Sequence, residues 1–367
     1  MSGWQDPFYS ITSSMPMRDD PDHYLTRKER RHEKKRAGAK DRSKFKKTDR
    51  DKREKKTALD MHARLKKKEL KRGRVLAITP EGTEVDLEGE KALVTLRGSL
   101  KKEQGKQKNL LIVGDFVWIE PDYAIAHVEQ RRSVLSRRGH IHSHRQQLIA
   151  ANIDQVLITV SVASPPLKPS LVDRYIIAAL KGKMDLVIVV NKIDLLKEKK
   201  EERFFFDAFV NLYSALGFRV LGVSAEKNQG LTALKKEMTG KASVFSGQSG
   251  VGKSSLINAI TGLGLATKEV IKKTQKGAHT TAQAQLIPLT FGGWCIDTPG
   301  IRSFGIWDLE RRDLVVYFPE ITEGAKECRY PNCTHLHEPG CHVQKMVESG
   351  AISALRFASY KKLIHEL

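Results

Sequence analysis

No stretch of this chain approaches the roughly 18 uninterrupted apolar residues that a membrane-crossing helix needs, so no span and no membrane partner are expected. The opening segment, Met1 to Pro21, carries acids and lacks an apolar h-region, so it does not read as a secretory signal. Cysteine is scarce, with four in 367 residues: Cys295, Cys328, Cys333 and Cys341. Three of them cluster near the C-terminus beside histidines, which points to a metal site in a reducing compartment. A cytoplasmic protein is expected. Negative charge is also short, with 43 acidic residues against 64 lysines and arginines. The net charge of +21 and pI near 9.7 call for a polyanionic partner. An apolar content of 40% suffices for real cores, and the length suggests two or three domains.

The most informative stretch is Gly247-Gln248-Ser249-Gly250-Val251-Gly252-Lys253-Ser254-Ser255, which fits Gly-x4-Gly-Lys-Ser. Ser243–Ser246 before it reads as a buried strand, and Ser255–Ile260 after it as a helix with an apolar face. Glycines here let backbone N–H groups turn inward onto phosphate oxygens, and the helix N-terminus adds positive potential. Lys253 is expected at the β- and γ-phosphates, and the Ser254 hydroxyl on Mg²⁺. A nucleoside triphosphate is the expected ligand.

Residues 1–72 hold twice as many lysines and arginines as acids, and more than half of the net charge. Such a segment buries too little to offset its ordering entropy, so a disordered basic arm is expected. It would serve as an RNA-binding arm or as a solubilising tail. From 73 to 130 the pattern changes to five short strands: Arg74–Ile78, Thr83–Leu87, Ala92–Leu96, Gly114–Ile119 and Ala124–Val128. That spacing suggests a small antiparallel barrel of the OB type. The basic loop 101–108 lies within it, and residues 131–149 read as a basic linker.

From 150 to 317 strands and helices alternate, as in an α/β fold with a parallel sheet. Gln155–Val160 and Asp185–Val190 are buried strands, with a helix from Leu171 to Leu180 between them. The second delivers Asn191-Lys192-Ile193-Asp194 to a strand C-terminus, where open α/β sheets bind ligands. An aspartate there accepts two N–H bonds from guanine that adenine does not offer. The strand Arg219–Val223 ends in Ser224-Ala225, whose backbone N–H is suited to the guanine O6. Gly293–Ile296 ends in Asp297-Thr298-Pro299-Gly300, where Asp297 would hold Mg²⁺ through water and the Gly300 N–H would sense the γ-phosphate. Between them Gly277-Ala278-His279-Thr280-Thr281 suits a switch loop, with Thr280 or Thr281 on Mg²⁺. GTP and GDP are the expected ligands. Residues 318–367 carry Cys328-x4-Cys333-x-His335-x5-Cys341, a donor set suited to one structural Zn²⁺. A final helix follows, with apolar residues from Leu355 to Leu367. Cys295, alone in an apolar strand, reads as core.

The base-reading motifs precede the phosphate loop, and Asp297–Gly300 comes last. This order resembles that of circularly permuted GTPases. With a barrel before and a Cys/His module after, residues 73 to 367 are similar to the RsgA (YjeQ) family of small-ribosomal-subunit biogenesis GTPases. The resemblance implies zinc on Cys328, Cys333, His335 and Cys341, and binding to the small subunit and its rRNA. It also implies slow hydrolysis that the ribosome stimulates, because Ile301 stands where Ras-like enzymes place a glutamine. His279 is the local candidate for orienting water, with an RNA contact as its other reading. Permutation would let the segment after Asp297 move the C-terminal module as a lever. A monomer is expected. An RNA-binding factor using GTP only as a structural ligand, and a large-subunit GTPase, are the competing functions.

Overall fold

The computed structural model describes residues 70–98, 100, 110–138, 146–262, 284–297 and 309–367. The basic arm up to residue 69, the loop 101–108, His279, Thr280, Thr281, Gly300 and Ile301 lie outside them, as does the Asp297 side chain.

Five strands close a barrel: β1 (Lys71–Ile78), β2 (Thr83–Leu87), β3 (Glu90–Leu96), β4 (Phe116–Ile119) and β5 (Ala124–Val128). Their order is β1-β2-β3-β5-β4, and β3 runs parallel to β5 while the other pairs are antiparallel. This is the five-stranded OB arrangement. Alternation turns Val75, Val85, Val94, Val117 and Ile125 inward to make its core.

The stretch read as a linker contains structure. Strands β6 (Val134–Arg138) and β7 (Gln146–Ala151) pair antiparallel, and Leu135 is fully buried in the core of the following domain. Its basic composition hid one buried leucine. Next to this pair, Asn152 donates to the Gly114 carbonyl (3.0 Å) and accepts from the Arg132 N–H (2.9 Å). The Arg74 guanidinium donates to the Asn152 carbonyl (2.7 Å) and lies 5.0 and 5.7 Å from the Phe116 and Trp294 rings. Burial lowers the Arg74 pKa to about 10.

A six-stranded sheet follows, in the order β10-β9-β8-β11-β13-β12. Its strands are β8 (Gln155–Ser161), β9 (Asp185–Asn191), β10 (Arg219–Gly222), β11 (Ala242–Ser246), β12 (Gln285–Pro288) and β13 (Trp294–Asp297). All pairs are parallel except β12 with β13. Every residue of β8 and β11 is buried, because helices cover both faces of a parallel sheet. The helices are α1 (Pro169–Lys181), α2 (Lys200–Ala215), α3 (Leu231–Met238) and α4 (Lys253–Thr261). Cys295 is buried in this core.

Three further helices, α5 (Pro319–Ala325), α6 (His342–Glu348) and α7 (Ala354–Glu366), make the C-terminal module. Helix α1 serves two cores. Val172, Tyr175, Ile176 and Ala179, spaced by three and four residues, pack against the sheet, while Ile177 joins the C-terminal cluster. Beside Ile177 sits a buried charge network. Asp173 and Arg356 are each 1% exposed and directly paired. The Tyr213 hydroxyl donates to Asp173 (2.8 Å), and Arg356 also donates to Glu320 (2.6 Å) with its guanidinium 4.3 Å from the Phe318 ring. Burial raises the Asp173 pKa, while Arg356 pulls it down. Removing one partner strands the other charge in the interior. Arg356→Ala should therefore cost about 3–5 kcal/mol in denaturant unfolding, and replacing Asp173 and Arg356 together by apolar residues should restore much of it. A loss under about 1 kcal/mol would show the network to be dispensable.

Candidate functional site

Parallel strands bring their C-terminal ends to one edge, and the motif residues gather there. Asn191 ends β9, Ser224 follows β10, Gly247 follows β11, and Asp297 ends β13. The phosphate loop is wedged against its neighbours. A Cβ on Gly247 would stand 2.0 Å from the Thr159 carbonyl, so only glycine fits beside β8. Gly252, at φ +94, packs on Asn191, where a Cβ would meet its amide at 2.3 Å. Helix α4 begins at the next residue with no acid in its first turn, leaving the positive helix end for an anion. Ser254 and Ser255 are exposed on that turn.

The base-reading motif also braces the loop. The buried Asn191 amide donates to the Val251 carbonyl (2.9 Å), and its oxygen accepts the Ala225 N–H (3.1 Å). That N–H, expected at a guanine O6, is therefore engaged within the protein here. Lys192, held at φ +66, donates to the carbonyls of Gly250 (2.8 Å) and Ser164 (2.5 Å). Burial lowers its pKa, with Asp194 opposing. The Ser224 hydroxyl donates to one Asp194 oxygen (2.5 Å) and accepts the Lys227 N–H (3.1 Å). Asp194 is thus aimed by one oxygen. At the other end of the loop the Lys253 ammonium donates to the carbonyls of Gly247 (2.7 Å) and Gln248 (2.8 Å).

A second centre lies in the C-terminal module. One donor atom from each of Cys328, Cys333, His335 and Cys341 falls within 4.8 Å of all the others. The three edges among Cys328, His335 and Cys341 fit a tetrahedron. Zinc bonds of about 2.3 Å to sulfur and 2.0–2.1 Å to nitrogen imply S···S near 3.8 Å and S···N near 3.6 Å. The observed values are 3.9 Å for Cys328–Cys341, 3.6 Å for Cys328–His335 Nδ1 and 3.5 Å for Cys341–His335 Nδ1. Burial, with the neighbouring Cys341 and Cys328 adding to it, pushes the Cys333 thiol up to about 12. Three thiolates can share this volume only around a cation.

His335 takes φ +63, and the loop that imposes this is tied by Glu338, which sequence reading passed over. Its carboxylate accepts from the Thr334 N–H (2.8 Å) and hydroxyl (2.5 Å), and from the N–H groups of Leu336 and His337 (both 3.1 Å). Burial opposes ionisation, but these hydrogen bonds win and bring its pKa down to about 2. An acid three residues from two metal-ligand candidates was the available signal. Glu338→Ala should destabilise the loop by about 1–3 kcal/mol and speed metal loss to a colorimetric chelator. Unchanged release kinetics would deny it this tying role. Nothing local in the sequence marks the Asp173–Arg356 pair, whose members lie far apart in the chain.

A glycine-rich strand–loop–helix, a guanine-type Asn-Lys-x-Asp tetrad on an earlier strand and a trailing Asp-Thr-Pro-Gly define a circularly permuted P-loop GTPase. The RsgA GTPase family model matches residues 128–307. A small ribosomal subunit biogenesis GTPase RsgA 2 of Bacteroides thetaiotaomicron is 37% identical over 276 residues, covering 74% of this chain and 88% of the relative. The RsgA of Chlorobaculum parvum is 40% identical over 286 residues, covering 74% and 90%. Among solved structures, YjeQ from Thermotoga maritima aligns with a TM-score of 0.65 at 32% identity, covering 81% of this chain and 98% of the other. YloQ, described as a circularly permuted GTPase, aligns at 0.61 and 28% identity, covering 81% and 94%. This chain belongs to the RsgA GTPase family.

Proposed function

We propose that the protein binds the small ribosomal subunit in its GTP state, assists late maturation, and hydrolyses GTP to GDP and phosphate. The observation that carries this is the convergence of Asn191, Asp194, Ser224 and the 247–255 loop on one sheet edge, in a chain of this family. Asp194 would read the guanine N1 and amine, with Lys192 beneath it and the Ala225 N–H turning from the Asn191 oxygen to O6. Backbone N–H groups from Gly247 to Gly252 would hold the α- and β-phosphates, and Lys253 would leave its carbonyls for the β- and γ-phosphates. Mg²⁺, which GTPases of this kind take with their nucleotide, would neutralise charge between the phosphates, with Ser254, Asp297 and Thr280 or Thr281 holding it and Gly300 sensing the γ-phosphate. His279 would orient the attacking water in place of a glutamine.

Zn²⁺ on Cys328, Cys333, His335 and Cys341 would fix the C-terminal module. That module, the barrel and the basic arm would supply rRNA contacts, driven by counterion release. The working divisions are 1–72, 73–130, 131–149, 150–317 and 318–367. Among the described residues no helix is long and apolar enough to cross a membrane. A cytoplasmic monomer fits this role.

The test is GTP turnover by the purified protein alone, with small subunits, and with large subunits. Strong stimulation by small subunits only supports the proposal. Equal or absent stimulation removes the small-subunit assignment.

A further inference from the structure

A cavity of about 450 Å³ lies between the phosphate loop, α1 and α7. Its lining includes Lys168, Arg174, Gln248, Ser249 and Lys362. It adjoins the nucleotide cradle rather than filling it: Gln248 and Ser249 of the phosphate loop line it, but none of Asn191, Lys192, Asp194 or residues 250–255 does. The loop has two chemically distinct ends. Gly250 and Gly252 meet Lys192 and Asn191 at the base end. Gly247 and Gln248 meet Lys253, whose ammonium belongs with the β- and γ-phosphates. The cavity opens on Gln248 and Ser249, on the Lys253 side of the loop, which is the side of the terminal phosphate.

Its charge suits an anion. Glu366 also lines it but is paired with Arg174. Among the described residues no ion pair joins Lys168 or Lys362, so two cations face the space uncompensated. The volume is ample for a hydrated phosphate.

Cleavage of GTP frees inorganic phosphate at this end of the loop. We propose that the cavity is a binding site for that product phosphate, held by Lys168 and Lys362 while GDP is still in place. The inference rests on the GTPase reading above. Phosphate sits there against α7 of the C-terminal module and α1 of the sheet domain, so its departure is a separate event from cleavage.

The test titrates inorganic phosphate into the GDP-loaded full chain, read by ³¹P NMR, for wild type, the Lys168→Ala/Lys362→Ala double variant and Lys361→Ala. Lys361 lies over the Phe357 ring outside the cavity lining and serves as the control. Saturable binding to wild type and to the control, weakened about tenfold in the double variant with GDP affinity unchanged, is the expected result. Equal phosphate binding by the double variant, or none by wild type, overturns the proposal and leaves the GTPase reading standing. Loss of GDP binding in wild type would instead overturn that reading, and the proposal with it. A parallel titration with hexauridylate separates product from RNA backbone. Tighter binding of the oligonucleotide that lapses in the double variant would assign the cavity to RNA and overturn the product assignment.

Discussion

A strong chelator that strips the proposed zinc should unfold residues 328–348 while leaving guanine-nucleotide binding measurable. The helices around the cluster are short, α5 and α6 having seven residues each, and helices of that length are not stable alone in water. Their packing is organised around Cys341 and Val343, with Cys328 and Cys333 against the same cluster. A closed three-thiolate, one-imidazole zinc site supplies about 10–16 kcal/mol in apparent binding energy, comparable to the whole stability of a domain. Helix α7 has its own anchor through Arg356 to α1, so it should loosen less. Hydrogen exchange would show this contrast, with protection lost across 328–348 and largely kept across 354–366. One zinc per chain, released on chelation, is the expected stoichiometry. Zinc-free protein with full protection of 328–348 would overturn the assignment, and Cys333→Ser should reproduce the chelator's effect.

The second large effect is at Asp194. Replacing it with asparagine should lower GTP affinity by a factor on the order of 10⁴. An asparagine presents an N–H₂ where guanine presents its own N–H groups, so two donors face each other. Xanthine carries a carbonyl in place of the exocyclic amine, and the variant should accept XTP in exchange. The substitution is mild for the fold, because the Ser224 hydroxyl can still donate to the remaining amide oxygen as it now does to Asp194. Competition binding with GTP and XTP decides the matter. Unchanged GTP affinity in a folded variant would mean the base is read elsewhere.

Much of this architecture was legible because its signals are local. Strands β8 and β9 appear as near-continuous apolar runs, Val156–Val160 broken only by Thr159 and Leu186–Val190 unbroken, as expected for parallel strands covered on both faces. The barrel showed itself through five short alternating segments. The four zinc-ligand candidates lie within one short stretch, so their proximity needed no long-range folding to be suspected. The illegible parts have non-local causes. Leu135 belongs to a core assembled from strands far along the chain, and its charged neighbours gave a linker-like composition. Asp173 and Arg356 lie 183 residues apart, and only the fold buries them together. At the site, the sequence marked which residues stand at the strand ends. It did not show that Asn191 and Lys192 spend their hydrogen bonds holding the phosphate loop.

The Asp173–Arg356 pair also carries a meaning in time. Synthesis proceeds from the N-terminus, so α1 and the strands β8, β9 and β10 emerge well before α7. Until then Asp173 faces a forming core without its cation, and the β8 edge stays open until β11 arrives to cover it. In a nascent chain the base-reading half is therefore present while its central helix still buries an acid without its partner. Its cation partner arrives only when residue 356 has been added. The buried ion pair thus joins the sheet domain to the last helix of the described chain, across 183 residues of sequence.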